Sequence, residues 1–326
     1  MPKPRSQQIS ITDTPYYHCV SRCVRRAFLC GKDEQTGKSY EHRRAWVEKR
    51  LLLLSSVFAI NVCAYTVMHN HTHVILYIDD EKAKNWSMDE VLQHWHQLYK
   101  GTLFTQQYLK GETLVDSAID CVKKTAEIYR NRLMDISWFM RALNEPIARQ
   151  ANSEDNCTGR FWEGRFKSQA LLDESALIAC MAYVDLNPIR ANIAKTPEKS
   201  AYTSIKQRVN SAIKGTQPKN LLPFVGNHRK NMSKGIAFKL KEYIELVDIT
   251  GRCIRDDKRG YINGDNAKIL DRLGISEESW LTLTLHFEQV FKGAVGAQDA
   301  ITQYTKNQNL KRRQSITNSI KLLKTA

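Results

Sequence analysis

An α+β fold is predicted by three observations: short runs of alternating or β-rich residues, helical periodicities between them, and an order in which the two kinds interleave. The composition permits a packed core, because 42% of the residues are hydrophobic and 25% are charged, values that exclude a disordered or collagenous chain. With 326 residues, about two domains are expected.

After a polar arm, Tyr16 to Val24 alternates apolar and polar side chains and reads as a first strand, with Arg22 near its end and Arg25 and Arg26 beyond. From Glu41 to Phe58, Trp46, Leu51, Leu54 and Phe58 recur at helical spacing between charges. The β-rich run Ile60 to Met68, the polar pair His69-Asn70 and the extended run His71 to Ile78 form a hairpin. A helix over Met88 to Tyr99 has Ser87 as its N-cap. Residues 101–159 hold helical material, from about Leu114 to Ala151, and read as an insertion without a usable motif. Gly164 to Leu172 is a fourth strand, and Asp173 caps a helix from Glu174 to Leu186. Pro188 is expected to push Asn187 out of helical geometry and end that helix. Strand, helix, strand, strand, helix, strand, helix is a ferredoxin-like split βαβ layout, an antiparallel sheet with helices.

Beyond Pro197 the pattern turns mainly helical, with Ser276 capping a segment that carries Trp280, Leu283, Phe287, Val290 and Phe291 on one face. The polar, glycine-flanked stretch Gly226 to Gly235 reads as a linker, dividing a domain over 1–225 from a helical C-terminal extension over 226–326. The stretch from Ile301 to Ala326 carries Lys306, Lys311, Arg312, Arg313, Lys321 and Lys324 without an acid, a phosphate-binding tail or merely a solvated one.

The apolar runs Leu51 to Leu54 and Ala176 to Val184 fall short of the roughly 18 residues that cross a bilayer, and the first residues lack a signal-peptide core, so a cytoplasmic protein is expected. Eight scattered cysteines without a CxxC pair argue against a zinc site or a disulfide framework. Lys plus Arg outnumber Asp plus Glu by 49 to 34, a net +15 that suits a nucleic-acid partner, with solubility alone as the plain alternative.

Three groups of residues carry candidate chemistry. His71 and His73, two apart on a strand, share a face of the sheet and have the spacing to grip one metal ion, as ordinary sheet histidines also do. Tyr183 and Asn187, four apart, leave one face of a helix near its C-terminal end. Tyr183 reads either as a core tyrosine or as a nucleophile towards phosphorus, and Asn187 as a pre-proline residue or an amide ligand. Between Gly159 and Lys167, Arg160, Arg165 and Lys167 interleave with Phe161, Trp162 and Phe166, which suits phosphate contacts and base stacking on a single strand or, for the aromatics, burial in the core.

Together, Val67 to Leu76, Arg160 to Ser168 and Tyr183 to Ala191 resemble the HUH single-tyrosine transposases, specifically the REP-associated tyrosine transposase group, over about residues 10–210. The resemblance implies a ferredoxin-like domain that holds Mg²⁺ or Mn²⁺ between His71, His73 and, as third ligand, Asn187, with Tyr183 as the nucleophile. It implies cleavage and rejoining of single-stranded DNA at hairpin-flanked ends through a 5′-phosphotyrosine. Arg22, Arg25, Arg26 and Arg190 join Arg160, Trp162, Arg165 and Lys167 as expected DNA contacts. Two positions depart from the family's pattern: Thr72 stands where a bulky apolar residue is usual, and His69 where a proline is. Thr72 is expected on the face away from the metal, and His69 as a turn residue. A domesticated, non-catalytic DNA- or RNA-binding protein is the competing reading, and a metallohydrolase using water a third. Monomer and homodimer both remain open.

Overall fold

A computed structural model describes residues 9–24, 29–33, 36–226, 234–255 and 269–323. Four strands form one sheet: β1 (Tyr16–Arg22), β2 (Ile60–Val67), β3 (His71–Ile78) and β4 (Lys167–Leu171). Their order is β2-β3-β1-β4 with every neighbouring pair antiparallel. β1 and β2 therefore run parallel with β3 between them, and α1 (His42–Val57) makes the crossover, which is the split βαβ arrangement expected. Between β3 and β4 lie α2 (Asp80–Asn85), α3 (Met88–His96), α4 (Leu103–Leu109), α5 (Asp116–Leu133) and α6 (Ile136–Glu154). After β4 come α7 (Glu174–Asp185), the one-turn α8 (Asn187–Arg190), α9 (Ser204–Ala212), α10 (Leu240–Cys253), α11 (Glu277–Val290), α12 (Gln298–Asn307) and α13 (Ile316–Leu322).

The helix starts follow their caps. Ser87 accepts from the Glu90 amide while Glu90 returns a bond to the Ser87 amide, and Asp173 and Ser276 accept from the amides of Ala176 and Ser279. Strand β1 stops at Arg22, short of the expected Val24, because the amides of Cys23 and Val24 turn to the carbonyls of Asn70 and Phe161. The expectation for Asn187 is corrected: it opens α8 rather than leaving helical geometry. Leu186 (φ −86°, ψ −3°) joins α7 to α8, and Pro188 sits in the first turn of α8, where a missing N–H is no loss.

Both sheet faces are covered. On one, Tyr17, Val74 and Leu76 pack with Leu51 and Leu54 of α1 and Phe139, Met140 and Leu143 of α6. On the other, Ile75 and Leu171 pack with α7 and with Trp280, Leu283, Phe287 and Phe291, so the later helices share the core that holds α7 against the sheet. Each such large apolar side chain contributes about 1.5–3 kcal/mol on burial.

A polar clamp fixes the end of α7. Asp185, fully buried, accepts from Ser204 Oγ (2.5 Å), the Ile205 amide (3.0 Å) and Tyr243 OH (2.6 Å), tying α7 to the start of α9 and to α10. Burial pushes its carboxyl up to about 6, against the pull of these hydrogen bonds and of the buried Arg208. Among the described residues no helix is long and apolar enough to cross a membrane.

Candidate active site and nucleic-acid interface

Cross-strand pairs in an antiparallel sheet project to the same side. Arg22 pairs with His71, Val20 with His73, and His18 with Gln169, so these side chains all emerge on the face that α7 covers. His71 and His73 stand with ring centroids 4.8 Å apart, and Tyr183 descends from α7 with its ring 5.7 Å from that of His73. The histidine pair and the tyrosine singled out by spacing therefore meet.

The structure adds His18 and Glu288, which sequence reading passed over. His18, buried on β1, places Nε2 2.9 Å from Nδ1 of His73. Glu288 arrives from α11, which kinks at His286 (φ −127°, ψ 19°) just before Phe287 and Glu288. Its carboxylate accepts from Tyr183 OH at 3.5 Å, and His18, His73 and Glu288 offer one ligand atom each within 4.8 Å of one another. An alternating strand does mark His18 as facing the same way as Val20 and Arg22, whereas nothing local in the sequence places Glu288 beside a tyrosine so far upstream.

The electrostatics favour neutral imidazoles. Burial lowers the His71 imidazole to about 4, with Arg22 and Arg190 adding to the effect, and burial first and His71 second hold His73 well below the ordinary range. His71 Nδ1 lies 2.6 Å from the Asn70 side-chain oxygen, and His73 Nε2 is buried with no hydrogen-bond partner among the described residues. A fully buried imidazole nitrogen left without a partner fits a metal ligand. Burial also lifts the Tyr183 phenol above the usual tyrosine range; Arg190 pulls it back and Glu288 pushes it further up.

Asn187 is buried at 7% exposure, in the turn after Tyr183. Thr72 points to the opposite face, as expected, with a buried hydroxyl that has no partner among the described residues. His69 is an exposed turn residue, its ring against Gly31 and its carbonyl accepting from Cys30.

Arg22, Arg165 and Lys167 line a cavity of about 170 Å³ together with Glu163 and Glu288. All three cations are exposed, so a basic slot opens beside the carboxylate that touches Tyr183. Arg160 is exposed and outside that slot. The aromatics beside them are engaged otherwise: Phe161 is in the core at 2% exposure, and the half-buried Trp162 donates its indole N–H to the Asn144 carbonyl at 2.8 Å. Trp162 is thus a packing residue here, not an open stacking platform. Arg190 is half-buried, with Nη1 donating to the carbonyls of Tyr183 and Thr284. Arg25 and Arg26 lie outside the described residues.

No family model and no curated protein matches the chain. A solved structure of a REP-associated tyrosine transposase bound to a REP hairpin is similar to it at 11% identity with a TM-score of 0.38, over 72% of this chain and 97% of that one.

Proposed function

We propose that the protein cleaves and rejoins single-stranded DNA at hairpin-flanked ends, with Tyr183 as the nucleophile and a divalent metal assisting. The observation that carries this reading is the meeting of Tyr183 with Glu288 and with His73, whose buried Nε2 has no partner among the described residues, where Glu288 also lines a slot with Arg22, Arg165 and Lys167.

His71 and His73 would hold Mg²⁺ or Mn²⁺ as neutral imidazoles, with the Asn187 amide as oxygen ligand, and a nitrogen-rich set of this kind suits Mn²⁺ better than Mg²⁺. Such an ion, when bound, offsets charge on the phosphate oxygens. The chain's own groups do the rest. Arg22, Arg165 and Lys167 draw the backbone phosphate into the slot. Glu288 takes the phenolic proton of Tyr183, a transfer the raised phenol makes necessary. As the Tyr183 oxygen bonds to phosphorus, the bond from phosphorus to the 3′ oxygen breaks, and that oxygen takes up the proton that Glu288 received, leaving a free 3′ hydroxyl and a 5′-phosphotyrosine. A 3′ hydroxyl attacking that phosphotyrosine restores a phosphodiester and returns the proton to Tyr183, so rejoining needs no ATP.

The test is a hairpin-bearing single-stranded oligonucleotide with Mn²⁺, resolved under denaturing conditions. Wild type should yield a cut strand and a protein-linked strand, and Tyr183→Phe neither. An adduct from the mutant equal to that of wild type overturns the mechanism, and cutting without any adduct favours a water nucleophile. One observation favours the non-catalytic reading: Tyr183 is only 7% exposed, its ring covered by Arg190 and packed against Phe287. That reading requires salt-dependent DNA binding with no cleavage in any metal.

A further inference from the structure

The amide of Gln169 sits at the head of a chain of hydrogen bonds that runs from the C-terminal region to His73. Its Nε2 donates to the carbonyls of Phe291 (3.2 Å) and Gly293 (2.8 Å). Two carbonyl acceptors on one side settle which way the amide faces, because an oxygen turned towards them would meet lone pairs. Oε1 is therefore the atom presented to His18 Nδ1, at 3.4 Å. An amide oxygen only accepts, so the His18 proton lies on Nδ1 and its lone pair on Nε2. That lone pair faces His73 Nδ1 at 2.9 Å, which must then carry the proton. The remaining lone pair of His73 falls on Nε2, the buried nitrogen that has no partner among the described residues. The 2.9 Å contact between the two ring nitrogens itself calls for one donor and one acceptor, as this chain of bonds supplies.

We propose that Gln169 is a positioning residue that acts through His18 to lock His73 in the Nδ1–H tautomer, so that Nε2 is permanently offered to a divalent cation. Metal-binding histidines commonly donate their second nitrogen to a carboxylate, a carbonyl or water, and such partners fix tautomer and ring orientation. Here a second histidine takes that place, and an amide anchored on Phe291 and Gly293 orients it. His18 is thereby assigned as a partner of the ligand rather than a ligand, although it stands within reach of the same ion. The register supports the assignment, since His18 and Gln169 are directly opposed on β1 and β4. The metal half of the proposal rests on the function argued above, whereas the tautomer half is a property of the metal-free chain and stands or falls without it.

The experiment is long-range proton–nitrogen correlation NMR on the full chain labelled with ¹⁵N-histidine, metal-free at neutral pH, followed by Mn²⁺ titration. In wild type, His73 should show a pyrrole-like Nδ1 and a pyridine-like Nε2. Gln169→Leu, at a half-buried site on the strand, should leave His73 a mixture of tautomers and weaken Mn²⁺ binding about 10- to 100-fold. A proton on Nε2 of wild-type His73 overturns the proposal without any mutant, and so does a Gln169→Leu protein with an unchanged tautomer or an unchanged Mn²⁺ affinity. Loss of DNA cleavage in Tyr183→Phe, by contrast, bears only on the function, so the two can fail separately.

Discussion

The guanidinium of Arg190 lies on the ring of Tyr183, 4.0 Å from its centroid, and the same side chain donates to the Tyr183 carbonyl at 2.9 Å. One cation thus holds the candidate nucleophile by both its backbone and its ring. Arg190→Met should lower stability by about 1–3 kcal/mol, the cost of losing the hydrogen bonds that a part-buried charged donor makes to two carbonyls. It should also slow adduct formation, because the phenol loses the cation that pulls its pKa down. Urea unfolding and single-turnover adduct assays read the two effects.

Glu288 is assigned as proton acceptor rather than ligand, and the two roles separate on mutation. Glu288→Gln should slow formation of the protein-linked strand by about 10²–10⁴-fold while Mn²⁺ affinity stays near that of wild type. A parallel loss of Mn²⁺ binding, measured by titration, would place the carboxylate on the metal instead.

The basic slot makes a quantitative statement about salt. Arg165→Ala or Lys167→Ala should each remove one phosphate contact and flatten the slope of log affinity against log salt by about 0.7 for single-stranded DNA. Arg160→Ala, outside the slot, should change it less. Fluorescence anisotropy across a salt series measures this.

Asp185 gives stability a pH dependence of known sign. Its carboxyl titrates near 6 when folded against 3.8 as the ordinary value, so the folded state binds the proton more tightly. Its contribution is fully present below about pH 4 and is lost as pH rises towards and through 6, amounting to about 3 kcal/mol for a fully buried group. Asp185→Asn removes this dependence, so the stability difference between variant and wild type should drift by that amount between pH 4 and pH 7 in denaturant titrations.

Much of the sheet domain was legible because its signals are local. Ser87, Asp173 and Ser276 announce helix starts through their own side chains, and the alternation from Tyr16 and the run His71–Ile78 mark strands whose register then fixes which side chains share a face. His71, His73 and Tyr183 follow from that register and from one well-capped helix. What escaped reading depends on distant contacts. Trp162 has the look of a stacking residue until the Asn144 carbonyl claims its N–H. Asn187 stays helical because Leu186 bridges two helices, which the proline bias alone does not reveal. Glu288 and the Gln169 anchors depend on where a helix with no motif of its own docks.

The kink at His286 delivers Glu288 to a tyrosine that precedes it by 105 residues, which orders events at the ribosome. A nascent chain displays Tyr183, the candidate nucleophile, early but gains its carboxylate partner, and the carbonyls that hold Gln169, only when Glu288, Phe291 and Gly293 have emerged and folded back. On the proposed mechanism, chains released before that point would carry Tyr183 without the carboxylate that accepts its proton, so prematurely terminated products would form no DNA adduct.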